Sequence, residues 1–245
     1  MAYSLELTLI PHIDTYRNGI KLVSATELPS LIGKPFLSKW QQKLCQCRTH
    51  REAKKTAFKQ VEKEALEKFG EGHCGLVYAD YVKDAAGDLG NEVHKIIEYW
   101  FNDIEIDAAN EAGAWAKKII NVCQQHNVKP SVIKPEEVLI DAESGLAGSP
   151  DLIMEWDGRI EIGDYKIKNQ LDDLTGMQGC AYRYLIRRLH NVDIRYMRIF
   201  HCRKAHKDQD VKDVLIDLDE WTESWIGLTK VWNKLNPKRE VKILG

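Results

Sequence analysis

The chain has 245 residues, 44% of them hydrophobic, and a formal net charge of −2. That suits one large α/β domain or two small ones with a real core, and it does not mark a uniformly basic nucleic-acid binder, so local patches must be weighed instead. The 6 cysteines form no CxxC pair and no regular spacing, so neither a zinc site nor an iron–sulfur cluster is supported, and no apolar run reaches membrane-spanning length.

Scattered cysteines suit a reducing cytoplasm, and Met1 to Asp14 lacks the basic-then-apolar order of a signal peptide. The expectation is a soluble cytoplasmic protein with no membrane partner. Ser4 to Val23 alternates as a short hairpin turning near Arg17-Asn18-Gly19. Ser24-Ala25-Thr26-Glu27 reads as a helix start leading to Ile32-Gly33, and a long helical stretch is expected from Pro35 to Phe69. Further helices are expected over Tyr78 to Phe101 and Asp107 to His126. Pro130 opens a strand region with Val132 to Asp141, Leu146 to Trp156 and Arg159 to Lys166. A helix over Asp172 to Leu189, strands over Arg195 to Lys204 and Val211 to Asp217, and a Trp-bearing helix over Leu218 to Leu235 complete the chain.

This order predicts an α/β fold, a central mixed sheet flanked by helices with a helical N-terminal subregion. The expected organisation is a single domain over residues 1–245. Its parts are a hairpin and basic helical region (1–75), a core (76–217) and a C-terminal helix (218–245).

Most of the chemistry sits in Gly148-Ser149-Pro150-Asp151 and Glu161-Ile162-Gly163-Asp164-Tyr165-Lys166. Leu152 to Trp156 is apolar and Asp157-Gly158 signals a tight turn, so a hairpin returns Asp164 beside Asp151. Lys166 lies one strand repeat beyond Asp164, on the same face. Two carboxylates and an ammonium gathered at a strand end are costly to hold unless a hard divalent cation compensates, and paired acids with substrate phosphate are how Mg²⁺ is usually bound. The residues thus read as a metal-dependent phosphodiesterase.

Upstream, His94 and Glu98 stand four apart, on one helical face; alone they read as a partly exposed histidine and an ordinary neighbour. Gly87 and Gly90 precede them and would permit close approach of backbone or substrate. Downstream, Gln178 and Tyr182 are also four apart; both can bond phosphate oxygens, and both can equally be core and filler. Asp151 alone is a common turn opener. Chain order is what joins them.

That order, Gly-x-x-x-His-x-x-x-Glu, Pro-Asp, Asp-x-Lys, Gln-x-x-x-Tyr, resembles the PD-(D/E)XK nuclease superfamily over roughly Asp84 to Tyr182. More narrowly it is similar to the RecB-like branch, which includes bacteriophage recombination exonucleases and a mitochondrial genome-maintenance exonuclease. The resemblance implies a restriction-endonuclease-like core and a DNA exonuclease of recombination, repair or phage DNA metabolism, with a structure-specific endonuclease or a non-catalytic DNA-binding module as alternatives. It implies one or two Mg²⁺ or Mn²⁺ ions held by His94, Asp151, Asp164 and the main-chain carbonyl of Tyr165. Lys166 would orient or activate water, and Glu98 would steady the His94 side or bind the water of a second metal. Gln178 and Tyr182 would hold the DNA strand. Glu137 falls where relatives often carry an acid, with Glu136 competing for that place. Ile167 departs from the small hydroxyl residue that relatives place after the motif lysine. The branch's iron–sulfur members carry a C-terminal cysteine cluster, and here only Cys202 lies there.

For the nucleic acid, Lys39 to Lys59 carries many basic residues and one acid, with Trp40 and Phe58 among them. Such a face either tracks a phosphate backbone, with Lys54 and Lys55 on phosphates and Trp40 stacked on a base, or is a solvated helix face. Arg183, Arg187 and Arg188 form a second basic patch. The expected partner is end-bearing DNA, single- or double-stranded, with a single-strand annealing or binding protein as a companion.

Overall fold

The structure, a computed structural model, describes residues 16–17, 20–32, 75–104, 109–131, 137–168, 171, 174–203 and 211–243. The first elements are the strands β1 (Tyr16–Arg17), β2 (Ile20–Lys21) and β3 (Val23–Ser24), then the short helix α1 (Glu27–Ser30). Next come the helices α2 (Gly75–Phe101) and α3 (Glu111–Gln125). The strands β4 (Lys129–Pro130), β5 (Leu139–Asp141), β6 (Leu146–Gly148), β7 (Leu152–Trp156) and β8 (Arg159–Ile167) follow. Helix α4 (Thr175–His190), strands β9 (Tyr196–Cys202) and β10 (Val211–Asp217), and helix α5 (Asp219–Leu235) end the series. Among the described residues no helix is long and apolar enough to cross a membrane.

β7 and β8 pair antiparallel, Leu152 opposite Gly163 and Trp156 opposite Arg159. The turn between them places Asp157 at φ 49° and Gly158 at φ 77°, the left-handed pair that a two-residue hairpin requires. α4 then carries the chain across to β9, which lies parallel to β8, with Asp164 opposite Ile199 and Lys166 opposite His201. A five-stranded sheet results, in the order β10-β9-β8-β7-β4, alongside a three-stranded sheet β3-β6-β5 and the small hairpin β1-β2. Both larger sheets mix parallel and antiparallel pairs.

Strand alternation sorts the side chains into two cores. On one face Ile153, Ile162, Met197 and Ile199 pack against Ala181, Leu185 and Ile186 of α4 and Trp225 and Trp232 of α5. On the other, Leu152, Met154, Tyr165 and Phe200 meet Val93 and Ile97 of α2 and Trp115, Ala116 and Ile119 of α3. The fold is therefore the expected α/β arrangement, sheets flanked by helices, with a restriction-endonuclease-like core. Asn110 caps α3 by accepting from the Gly113 amide at 2.9 Å, and its amide group donates to Glu92 Oε1 of α2 at 2.7 Å. α4 ends on Asn191 in the left-handed conformation (φ 56°), with Arg187, Arg188 and His190 in its last turn where the helix dipole favours cations.

Two expectations need correction. The run Leu146 to Trp156 is two strands in different sheets, β6 and β7, because Pro150 has no amide to donate to a ladder and the chain changes sheet at Ser149-Pro150-Asp151. The strand expected over Val132 to Asp141 is ordered as strand at Leu139–Asp141, while residues 132–136 lie outside the described residues. The long basic helix expected over Pro35 to Phe69, with Trp40, Lys54 and Lys55, also lies outside them.

The segment after α5 works as a strap. Asn233 exchanges two 2.8 Å bonds with the Val241 backbone, Lys242 N–H donates to Ser144 O at 2.8 Å, and Arg239 holds both carboxylate oxygens of Glu27 at 2.8 Å. The strap lies so close to the β5–β6 turn that a Cβ on Gly145 would sit 2.5 Å from the Glu240 carbonyl oxygen.

Candidate active site at the hairpin exit

Asp151 enters β7 one residue before Leu152, whose partner is Gly163, so the hairpin register sets Asp151 beside Asp164. Asp151 Oδ2 accepts from the Tyr165 amide at 2.7 Å. Its Oδ1 lies 3.5 Å from His94 Nδ1. The other imidazole nitrogen, Nε2, is 3.2 Å from the Tyr165 carbonyl, which can only accept, so that nitrogen carries a proton here. The His94 ring also meets the Tyr165 ring edge-on at 5.3 Å. The helix presents His94 correctly because Val93 and Ile97, its apolar neighbours, are buried against the sheet. His94, Asp151 and the Tyr165 main chain thus touch one another.

Asp164 leaves β8 toward the α4 side and is fully buried. Lys166 Nζ donates to its Oδ1 at 2.7 Å and lies 2.6 Å from Oδ2, while Oδ2 makes no hydrogen bond. Burial above all pushes the Asp164 carboxyl above the ordinary carboxylate range; the Asp151 charge adds to this, and Lys166 and His94 pull the other way. Asp164 therefore feels both Asp151 and His94 although its carboxylate is held by the lysine. Glu98, one turn beyond His94, is half-buried, and burial raises its carboxyl pKa against the pull of Lys95.

Among the described residues, no three His, Cys, Asp or Glu side chains form a ready-made metal cage. The donor types nevertheless suit a hard cation, for the Asp151 carboxylate and the Tyr165 main-chain carbonyl meet at the His94 imidazole, and the Asp164 carboxylate stands next along the hairpin register. Asp164, buried near the Asp151 charge and paired with the Lys166 ammonium, is a carboxylate of the kind such an ion takes as a ligand.

Gln178 and Tyr182 come together as expected, Gln178 Nε2 donating to Tyr182 Oη at 2.8 Å. Tyr182, however, is a core residue at 3% exposure, its ring seated so closely over Gly148 that an added Cβ there would lie 2.9 Å from Cε1. Of the pair, Gln178 is the half-buried member and Tyr182 lies behind it. Arg183 is engaged within the protein. Its Nε and Nη2 bind Asp193 at 2.8 and 3.0 Å and its Nη1 binds Asp219 at 2.6 Å, so the guanidinium fastens α4 to α5. Arg188 is likewise engaged with Asp141 and Glu143. Glu137 lies 3.9 Å from His190 Nε2, at the opposite end of α4 from Gln178. Added Cβ atoms on Gly87 or Gly90 would meet open space, so packing against described protein atoms is not why glycine stands there.

Sequence reasoning missed His201, directly opposite Lys166 on β9. No spacing motif marks it; counting register along a parallel β8–β9 pair would have found it.

A mixed sheet flanked by helices, with two acids and a lysine at a hairpin exit and an imidazole from a preceding helix, defines a nuclease-like hydrolase core. The sequence profile of the PD-(D/E)XK nuclease superfamily matches residues 21–238, and the chain belongs to that superfamily. Membership implies metal-dependent nuclease activity with DNA as substrate, and Mg²⁺ or Mn²⁺ as the ions such nucleases generally use. No curated protein matches the chain.

Proposed function

We propose that the protein is a Mg²⁺- or Mn²⁺-dependent DNA exonuclease that works from DNA ends in recombination, repair or phage DNA metabolism, in company with a single-strand annealing or binding protein. The observation that carries the nuclease chemistry is the contact between His94, Asp151 and the Tyr165 backbone, beside the buried Asp164–Lys166 pair. The exonuclease assignment rests on the resemblance of the whole motif order to the RecB-like branch.

In this reading His94, Asp151, Asp164 and the Tyr165 carbonyl hold one or two ions, with the imidazole tilting preference toward Mn²⁺. When bound, the metal supplies a hydroxide-like nucleophile and neutralises charge on the phosphoryl oxygens. Lys166 orients the attacking water and places an ammonium against the developing charge. Glu98 steadies the His94 side. Gln178 bonds a phosphate oxygen of the strand, held by Tyr182 from behind. Lys54 and Lys55 bind DNA phosphates and Trp40 stacks on a base.

The test is a digestion of linear duplex labelled at either end, beside covalently closed circular DNA, with Mg²⁺, Mn²⁺ or EDTA. The expected result is metal-dependent shortening of the linear DNA from an end and an untouched circle. Cutting of the circle replaces the exonuclease by an endonuclease with the same site, and intact DNA in both metals refutes the nuclease reading.

A further inference from the structure

His201 occupies the place in β9 directly across from Lys166, and because paired residues of adjacent strands leave the sheet on one side, it shares the face of Asp164 and Lys166. Its side chain is buried, at 6% exposure. Nε2 lies 2.7 Å from the Lys168 carbonyl. A carbonyl only accepts, so this nitrogen is the donor and the tautomer is fixed. Burial foremost lowers the imidazole pKa below its ordinary value; the bond to Lys168 opposes this, and the cationic Arg203, Lys168 and Lys212 reinforce it. The bond to the Lys168 carbonyl therefore places a proton on Nε2.

The bond falls where the strand runs out. The ladder between β8 and β9 ends at Ile167 opposite Cys202, and Lys168 then donates its amide to the Cys202 carbonyl at 3.1 Å. Lys168 is thus held at both its amide and its carbonyl, the second time by a side chain. Lys166, two residues earlier, has a long flexible stem whose side chain keeps 21% exposure. Its aim at Asp164 depends on where the backbone is pinned.

We propose that His201 is a positioning residue for Lys166: by holding the Lys168 carbonyl it fixes the exit of β8 and so the direction of the lysine. This rests on the nuclease reading of the same site. A misplacement of about 1 Å at a reacting group costs on the order of 10²-fold in rate, and loss of one anchor two residues away is expected to produce a part of that.

The experiment compares the full chain with His201→Ala, His201→Gln, which keeps an N–H donor of similar reach, and Lys166→Ala. Two readouts are taken: kcat and KM for metal-dependent cleavage of end-labelled duplex, and amide hydrogen exchange of the 166–169 stretch in metal-free protein. His201→Ala is expected to lower kcat about 10-fold or more with KM nearly unchanged and to speed exchange in that stretch. His201→Gln is expected to restore both. Wild-type kinetics in a folded His201→Ala variant, or unchanged exchange, overturns the proposal. Should the alanine variant not fold, a folded His201→Gln with wild-type exchange in that stretch but a loss of kcat of about 10-fold or more against wild type overturns it equally. A wild-type chain that cleaves no DNA refutes the nuclease reading first, whereas cleavage by wild type, none by Lys166→Ala and full activity in His201→Ala refutes the anchor alone.

Discussion

Strand β8 buries two carboxylates three residues apart, on opposite faces of one sheet, and they are treated in opposite ways. Glu161, fully buried, receives Arg198 Nε at 2.7 Å and Nη2 at 3.3 Å, and Arg159 Nη2 at 3.0 Å. Arg198 in turn binds Asp213 and lies 4.0 Å over the Trp156 ring. Every charge in that group has a partner. Asp164, equally buried, has one lysine, a neighbouring acid and an oxygen without a hydrogen bond. A fully matched buried ion pair fixes structure, whereas a mismatched one is held in readiness for something that arrives later.

Variants at the two carboxylates should therefore fail differently. Asp164→Ala or Lys166→Ala is expected to lower cleavage by about 10³-fold or more, the scale of losing a transition-state stabiliser, with DNA binding still measurable by fluorescence anisotropy. Wild-type cleavage by both variants would erase the distinction. Glu161→Gln, which leaves Arg198 buried with its main partner neutralised, is expected to lose about 3 kcal/mol of stability in urea unfolding. At a temperature where the variant is folded its cleavage rate should match wild type, and a selective loss of rate there would move Glu161 into the reaction. Gly148→Ala sits between the classes. Overpacking against Tyr182 and Ala25 should cost about 1–3 kcal/mol, and displacing Tyr182 should weaken DNA binding through Gln178, read as a rise in KM.

Asp141 gives the mildest test. Burial opposes its ionisation, yet bonds from Ser144, the Glu143 amide and Arg188 outweigh this and hold its carboxyl below the ordinary range. A depressed folded pKa means the unfolded chain binds more protons, so stability rises with pH through that interval. The contribution is present above the ordinary aspartate pKa of about 3.9 and fades as pH falls through the folded value. Asp141→Asn should flatten the acid limb of a stability–pH curve, and an unchanged limb would remove Asp141 from the matched class.

How much of this was visible in the sequence depends on the distance each contact spans. The Asp157-Gly158 turn, the alternation of β8 and the i,i+4 pairs are local, and all stood where the residues put them. Register carried the next step, for once the turn was fixed Asp151 had to meet Asp164. Local alternation also misled. Leu146 to Trp156 keeps its apolar character through Gly148-Ser149-Pro150-Asp151, and only the partners on either side show that two sheets share it. Arg183 looked like a free cation because Asp193 and Asp219, its partners 10 and 36 positions on, carry no pattern announcing them. His201 was hidden for the same reason. Its meaning comes from a neighbour reached through a crossover helix.

The strap after α5 has a consequence for synthesis. Arg239 meets Glu27 across 212 positions, and Lys242 closes on the turn before β6, the strand that runs on toward Asp151. Pairings that far apart form late, and on the ribosome Arg239 emerges long after Glu27. The three-stranded sheet that leads into Asp151 is thus closed by a segment remote in sequence, and its last fastening waits on that long-range pairing.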